Sequence, residues 1–349
     1  MSDSRVQFES GRGPKYRGIY ELLKGQIVEG KLAPGEYLPP ESQLADTYGV
    51  SVGTMKKALR ELQSEHYIRR KRGHGTQVCG MPETSERNRS VLVLVGDMGH
   101  TFFADIASGV LEELEENDWN PILHETWHRP ERERALLEKY AGHVRGYIVV
   151  PCIESANDTT YRQVTTNGAP LVFVDRYLSG LEVDAVLSDN RRGGYMATRH
   201  LLELGHRRIV VLGVGGAVSV QHRLEGHKQA LAEYGVPFDP ALVHPRKQNN
   251  FEDAYDFIGR FLTAHPDVTA AFCLPDEAAW GCLQRLAEMD IRVPEQFSVV
   301  GYDDNADICS RVRPRLTTVR QQKREMGRSA ARRLAWRLGS DDHIPPEVV

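Results

Sequence analysis

The sequence of 349 residues predicts an α/β protein in which a small N-terminal domain of helices and a β-hairpin precedes a large domain of two lobes with parallel sheets. Two amphipathic segments flank a glycine turn near the N-terminus. From residue 90 onward, continuous apolar runs alternate with helical segments, which is typical of parallel strands covered on both faces. The length fits one small and one large domain.

The composition favours a protein of the cytoplasm. No apolar run approaches the ~20 residues of a membrane helix, and the N-terminal residues MSDSRVQFES lack the apolar core of a signal peptide. The five cysteines are scattered and form no C-x-x-C motif, so we expect free thiols and no metal or other cofactor. They are Cys79, Cys152, Cys273, Cys282 and Cys309.

The charge is uneven along the chain. Residues 1–80 contain 13 lysines and arginines against nine acidic residues, whereas the remainder contains 31 against 39. A basic small domain joined to an acidic large one indicates that the first domain meets nucleic acid.

The small domain is predicted over residues 14–79, after a disordered tail over residues 1–13. Its first helix should end at Gly30 and has an apolar face of Tyr16, Ile19, Tyr20, Leu23 and Ile27.

A helix-turn-helix is predicted over residues 41–62. Gly49 supplies the turn, and the hydroxyl of Ser51 can cap the second helix. That helix has one apolar stripe, and its hydroxyls and cations lie largely elsewhere, which suits the major groove of DNA. The stripe is Met55, Ala58, Leu59 and Leu62. A small helical pair with a solvated basic face is the alternative.

A β-hairpin with a basic tip is predicted over residues 67–78, either as a wing that contacts the DNA backbone or as a solvated turn. The residues expected at DNA are Ser42, Ser51, Val52, Gly53, Thr54, Lys56, Lys57, Arg60, Arg72, Gly73, His74 and Gly75.

Residues 15–79 resemble a GntR-type winged helix-turn-helix. The matching segments are Ala33-Pro34-Gly35, Leu38-Pro39-Pro40-Glu41, Leu44-Ala45, Tyr48-Gly49-Val50-Ser51, Gly53-Thr54, Lys56-Lys57-Ala58-Leu59 and Arg72-Gly73-His74-Gly75-Thr76. The family usually has arginine where this chain has Ser42 and Val52, and those arginines read bases or phosphates. The resemblance therefore implies an operator sequence that differs from the common one.

After a polar linker over residues 80–89, the large domain is predicted over residues 90–349. Its apolar runs are residues 91–95, 146–150, 171–174, 208–212, 269–273 and 297–300, and helical stretches between them include residues 106–117, 191–204, 226–234, 254–264 and 277–289. Alternation over this length predicts two α/β lobes.

The large domain resembles the LacI/GalR-type effector domain, which has a periplasmic-binding-protein-like fold. The matching motifs are Phe102-Phe103, Val174-Asp175-Arg176, Asp189-Asn190 with Gly193-Gly194, residues 205–209, Arg223-Leu224-x-Gly226, Pro275-Asp276-x-Ala278, residues 298–304 and residues 316–319. The resemblance implies lobe one from about residues 90–178 and 318–340, and lobe two from about residues 179–317. A chain that joins these two domains resembles the arabinose-repressor-like regulators.

A ligand between two such lobes meets the loops at the carboxyl ends of the strands. The candidate ligand-binding residues combine charged side chains for hydroxyls with an apolar wall for a sugar ring. They are Asp97, His100, Phe102, Phe103, Asp175, Arg176, Arg223, Phe251 and Asp276. The resemblance implies that Arg223 and Asp276 bind effector hydroxyls and that Phe251 stacks on the ligand.

Structural roles are the alternatives for several of these residues. Asp175 and Asp276 could cap turns or helices, and Arg176 could form an ion pair between the lobes. Phe102 and Phe103 could pack at the hinge. We expect Asp303 and Asp304 to be structural, making hydrogen bonds in a turn.

Two motifs suggest enzymes, and neither has the right context. The glycines at residues 213–216 lack the spacing of a dinucleotide loop. Residues 124–128 read H-E-x-x-H, but nearby prolines at 121 and 130 predict a strand and a loop, whereas zinc binding by this motif needs a helix.

The sequence thus predicts a transcriptional regulator without enzymatic activity, a homodimer that binds a palindromic double-stranded DNA operator. By resemblance, a small sugar-type effector releases repression of carbohydrate-use genes. A nucleoside-like effector, a ligand-free dimerisation domain and, remotely, a metal-dependent hydrolase remain the alternatives.

Overall fold

The computed structural model describes residues 15–65, 67–71, 75–79, 89–152, 158–166, 168–245, 250–339 and 345–349. Contacts divide the chain into two units, a small one up to Asn88 and a large one from Arg89 to Val349. Within the described residues, no helix is both long and apolar enough to cross a membrane.

The small unit is a three-helix domain with a three-stranded antiparallel sheet, in the strand order β1-β3-β2. The predicted apolar stripe on α3 is buried against α1 and α2, and Ser51 caps α3 by accepting a hydrogen bond from the Thr54 N–H. Gly49 turns the chain with φ +62°. The elements are α1 (Lys15–Val28), β1 (Tyr37–Leu38), α2 (Glu41–Thr47), α3 (Val52–Ser64), β2 (Ile68–Lys71) and β3 (Gly75–Val78).

The first lobe of the large unit contains a five-stranded parallel sheet in the order β5-β4-β6-β7-β8. Its strands are β4 (Ser90–Val95), β5 (Asn120–Glu125), β6 (Gly146–Val149), β7 (Leu171–Val174) and β8 (Asp184–Val186). Its helices are α4 (Thr101–Glu116), α5 (Pro130–Tyr140), α6 (Asp158–Thr166) and the last helix of the chain, α12 (Lys323–Gly339).

The second lobe contains a second parallel sheet in the order β10-β9-β11-β12-β13. Its strands are β9 (Ile209–Val214), β10 (Val243–Pro245), β11 (Ala270–Cys273), β12 (Ser298–Asp303) and β13 (Thr317–Arg320). Its helices are α7 (Asn190–Glu203), α8 (Val218–Glu233), α9 (Asn250–Ala264), α10 (Asp276–Glu288) and α11 (Ala306–Cys309).

Both sheets are covered on two faces, as the continuous apolar runs predict. Every residue of β4, β6, β7, β11 and β12 is buried. Separate apolar clusters fill the two faces of each sheet, so each lobe has its own core.

The predicted lobe boundaries need a correction. Residues 179–186 were assigned to lobe two, but β8 pairs with β7 and extends the first sheet. Residues 318–320 were assigned to lobe one, but β13 pairs with β12 in the second sheet. The chain therefore crosses between lobes after Val186 and after Arg320, because the short strands at these two places complete the sheet that the chain is leaving.

Candidate functional site

A cavity of about 420 Å³ lies between the two lobes of the large unit. Side chains and loops of both lobes line it, at the carboxyl ends of the parallel strands, where α/β sheets generally bind ligands. The lining residues are His100, Phe102, Phe103, His128, Asp175, Arg176, Gly213, Gly215, Ala217, Ser219, Val220, Arg223, Asn250, Leu274, Pro275 and Asp303.

The first lobe contributes an aromatic wall. Phe102 and Phe103, in the first turn of α4, are mostly buried and meet edge to face with ring centroids 5.2 Å apart. His128 follows β5 and lies 5.1 Å from the Phe103 ring. Flat apolar faces of this kind suit the ring of a small ligand.

His100 joins the lobes across the cleft. Its Nδ1 accepts a hydrogen bond from the Phe102 N–H and caps α4, while its Nε2 lies 2.9 Å from Glu277 Oε1 on α10 of the second lobe. The hydrogen bond to Glu277 raises the pKa of His100, despite the opposing effect of burial. This ion pair is a direct link between the two lobes.

Asp175 and Arg176 form a paired charge at the end of β7. The Asp175 carboxylate accepts hydrogen bonds from Arg176 Nε at 2.8 Å and Nη2 at 2.6 Å, and Asp175 is almost fully buried. Asp175 has φ +68°, a left-handed conformation that aspartate tolerates better than most residues. The pair turns a fixed guanidinium toward the cavity.

Arg223, on α8, is only 5% exposed, and three neighbouring side chains contact its guanidinium. Its Nε donates to Asn190 Oδ1 at 2.8 Å, and its guanidinium lies 3.8 Å from the centre of the Tyr302 ring. Its Nη1 lies 3.7 Å from Asp303 Oδ1. The side chain is therefore preorganised to donate to a ligand hydroxyl.

Asp303 was expected to be structural in a turn, and it instead lines the cavity beside Arg223. Burial raises its pKa to about 7, although Arg223 opposes that rise. A carboxyl group beside a guanidinium can bind one hydroxyl group from two sides.

Asp276 and Phe251 are not among the residues that line the cavity. The Asp276 carboxylate is fully buried and accepts hydrogen bonds from the Asn305 N–H and the Thr318 hydroxyl, both at 2.7 Å. This geometry fits the structural alternative, because the carboxylate links the start of α11 to β13. Burial raises its pKa to about 6 against these hydrogen bonds.

Phe251 packs in the second lobe against Trp280, with the two ring centroids 4.7 Å apart. Its neighbour Asn250 lines the cavity instead, and Asn250 Oδ1 has no partner among the described residues. Asp97 is exposed and accepts a hydrogen bond from the Gly99 N–H in the loop after β4. We expected Phe251 to contact the ligand, whereas the adjacent residue, Asn250, lines the cavity.

The H-E-x-x-H segment is not helical. His124 and Glu125 lie on β5, and the chain leaves the strand with positive φ at Trp127 and His128. His124 Nε2 lies 2.8 Å from the Tyr140 hydroxyl, while His128 lines the cavity. The two histidines therefore do not share a helix face, as the metalloprotease motif requires.

The small unit exposes the predicted contact residues on α3. Gly53, Lys56, Lys57 and Arg60 line one depression on its surface. Lys57 Nζ lies 3.8 Å above the Tyr16 ring. Ser42, Ser51 and Val52 are exposed, and Thr54 is partly exposed.

Glu41 holds two of the neighbouring cations in place. Its carboxylate lies 3.8 Å from Lys56 Nζ and forms an ion pair with Arg70 of β2. Gly75 begins β3 with φ +96°. Residues 72–74, the predicted basic tip with Arg72, Gly73 and His74, lie outside the described residues.

Comparisons with known proteins match both units. Residues 15–78 match the family described as bacterial regulatory proteins of the gntR family, and residues 198–349 match the periplasmic binding protein-like domain. The arabinose metabolism transcriptional repressor of Halalkalibacterium halodurans is 31% identical over 332 residues, 91% of this chain and 88% of that protein. The ribose operon repressor of Haemophilus influenzae is 29% identical over 251 residues, 72% of this chain and 74% of that protein.

Among solved structures, a LacI family transcriptional regulator from Enterococcus faecium with bound ribose is similar, with a TM-score of 0.64 and 29% sequence identity. The match covers 74% of this chain and 94% of that one.

Proposed function

Because this chain belongs to the family of transcriptional regulators that join a gntR-family DNA-binding domain to a periplasmic binding protein-like domain, we propose that it represses carbohydrate-use genes until a sugar fills its cleft. The proposal follows the two similar repressors, which are named for arabinose metabolism and the ribose operon. The relative solved with bound ribose supports a sugar as the effector.

The observation that carries the proposal is the mixed lining of the cleft. One lobe supplies the rings of Phe102 and Phe103 and the Asp175–Arg176 pair, and the other supplies Arg223 and Asp303. A pyranose or furanose presents apolar ring faces and a rim of hydroxyls, which these groups complement. Since the ligand touches both lobes, binding favours the closed form over the open one.

The DNA-binding half of the proposal is carried by α3. Its exposed cations can neutralise phosphates while its first turn, with Ser51 and Val52, presents side chains to base edges. The resemblance places arginine where this chain has Ser42 on α2 and Val52 on α3, and neither a hydroxyl nor an isopropyl group can make the bidentate guanine contact of an arginine. We propose that the operator differs for this reason from that of regulators with arginine there.

We further propose a homodimer formed mainly by the large unit. Trp280 is 45% exposed on α10 and packs against Phe251, which stacks on Tyr255 at 6.2 Å. A cluster of three aromatic side chains at a surface is typical of an interface. Two copies would present paired DNA-binding units to the two halves of a palindrome.

A thermal-shift panel tests the effector class. The full-length protein would be heated with L-arabinose, D-ribose, D-glucose, D-glucuronate and adenosine, because a ligand bound only by the native state must raise the melting temperature. We expect a dose-dependent rise with a sugar. Arg223→Ala should lose that rise, whereas Arg199→Ala, which removes an exposed arginine on α7, should keep it. A rise with adenosine alone, or an unchanged response in Arg223→Ala, contradicts the proposal.

A further inference from the structure

A second, larger cavity of about 660 Å³ lies where the chain crosses between the lobes, between α7, β13 and the start of α12. Among the described residues, none lines both this cavity and the cleft cavity. Its walls are mainly apolar and include Leu187, Met196, Val319 and Met326. A space of this volume accepts a small organic molecule.

The walls favour an aromatic occupant. Two thioethers, of Met196 and Met326, and the ring of Tyr302 line the cavity. Methionine sulfur makes favourable contacts with aromatic rings, and its unbranched side chain adapts to their shape. Met196 is 53% exposed and Met326 is buried, so the cavity extends from the surface into the core.

One polar atom buried in the wall of this cavity lacks a hydrogen-bond partner among the described residues. Gln321 is only 4% exposed, and its Nε2 donates to Asp303 Oδ1 at 2.6 Å. Gln321 Nε2 faces Asp303, so Oε1 points away from that carboxyl group. Gln321 Oε1 has no hydrogen-bond partner among the described residues. A buried acceptor in this state favours a ligand that brings a donor.

We propose that this hinge cavity, the space between α7, β13 and α12, is a second small-molecule site for a compact aromatic compound with one O–H or N–H donor. The ring contacts the two methionines, and a rotation of the Gln321 amide brings Oε1 to the donor.

The hinge cavity is connected to the cleft through two residues. Gln321 lines the hinge cavity and holds Asp303, which lines the cleft. Tyr302 also lines the hinge cavity, and its ring lies under the guanidinium of Arg223. An occupant that moves either side chain changes the effector site, so each ligand alters the affinity of the other by the same factor. This coupling rests on the proposed function, whereas binding in the hinge cavity does not.

The experiment compares phenol with toluene, which match in shape and differ in the O–H donor. Full-length protein labelled with ¹³C at the methionine methyl groups is titrated with each compound and followed by NMR, without any sugar. We expect phenol to shift the Met196 and Met326 signals, leave Met55 of the small unit unmoved, and bind about 2- to 10-fold more tightly than toluene, the range of one neutral hydrogen bond.

Three variants test the site. Gln321→Met should remove the preference for phenol, while Gln229→Met, at an exposed glutamine on α8, should keep it. Ser329→Phe, at a half-buried position lining the cavity, should weaken the binding of both compounds. This variant tests the site independently if Gln321→Met fails to fold. Equal affinities for phenol and toluene, or unmoved Met196 and Met326 signals, overturn the proposal. If no sugar raises the melting temperature but phenol still binds, the proposed sugar effector is rejected and the proposed hinge-cavity site stands.

Discussion

Replacing Arg223 with methionine should destabilise the large unit strongly, and more so at high pH. Arg223 is buried between Asn190, Tyr302 and Asp303. Its loss leaves the Asp303 carboxylate buried with Gln321 as its remaining hydrogen-bond donor among the described contacts. Removing one partner of a buried ion pair costs about 3–5 kcal/mol of unfolding free energy.

The pH dependence follows from the Asp303 pKa, which burial raises to about 7 and Arg223 lowers. Without Arg223 that pKa rises further, so Asp303 takes up a proton and the buried charge disappears in acid. The destabilisation should therefore be smaller at about pH 5.5 than at about pH 8.5, because only the ionised carboxylate requires the cation.

Asp303→Asn in the Arg223→Met background should recover most of the lost stability, since no charge is then left unpaired. Urea unfolding followed by tryptophan fluorescence measures this, because all four tryptophans lie in the large unit. A cost below about 1 kcal/mol at about pH 8.5, or no recovery in the double variant, would refute the assignment of Arg223 and Asp303 as a coupled buried pair.

Three further predictions concern the cleft, the DNA surface and the dimer. Effector affinity should fall as pH rises through the raised pKa of His100, because the His100–Glu277 ion pair closes the lobes only while His100 is protonated. Effector titrations of Glu277→Gln should show a flatter dependence of affinity on pH. Lys56→Ala should weaken DNA binding and reduce the salt slope by about one, whereas Lys31→Ala should not; an unchanged slope removes Lys56 from the interface. Trp280→Asp should give a monomer in sedimentation velocity, and a dimer that persists would place the interface elsewhere.

The sequence predicted the long elements well because burial on both faces leaves a continuous apolar signal. The runs at residues 91–95 and 171–174 correspond to β4 and β7. The strands β8 and β13 were not predicted, because β8 has only three residues and the four residues of β13, TTVR, form no continuous apolar run. Missing them shifted both lobe boundaries. Their membership is decided by pairing with distant strands, which a local pattern does not contain.

Within the cleft, the sequence could identify the loops but not which side chain faces the ligand. Asp276 and Asp303 both lie at the carboxyl end of a strand, yet Thr318 and the Asn305 N–H hold Asp276 in the wall. Asp303 has φ +113°, which directs it differently. His128 reaches the cavity through positive φ values at the end of β5, a backbone choice without a sequence signal.

A ligand in the cleft should weaken DNA binding by the same chain. The most direct test is fluorescence anisotropy of a DNA fragment selected with the purified protein from random sequence, titrated with the sugar that the thermal panel identifies. We expect the wild type to lose DNA affinity by about tenfold or more, within the range of allosteric coupling. The Arg223→Met/Asp303→Asn double variant should lose none. An equal loss in both proteins, or none in the wild type, would contradict it.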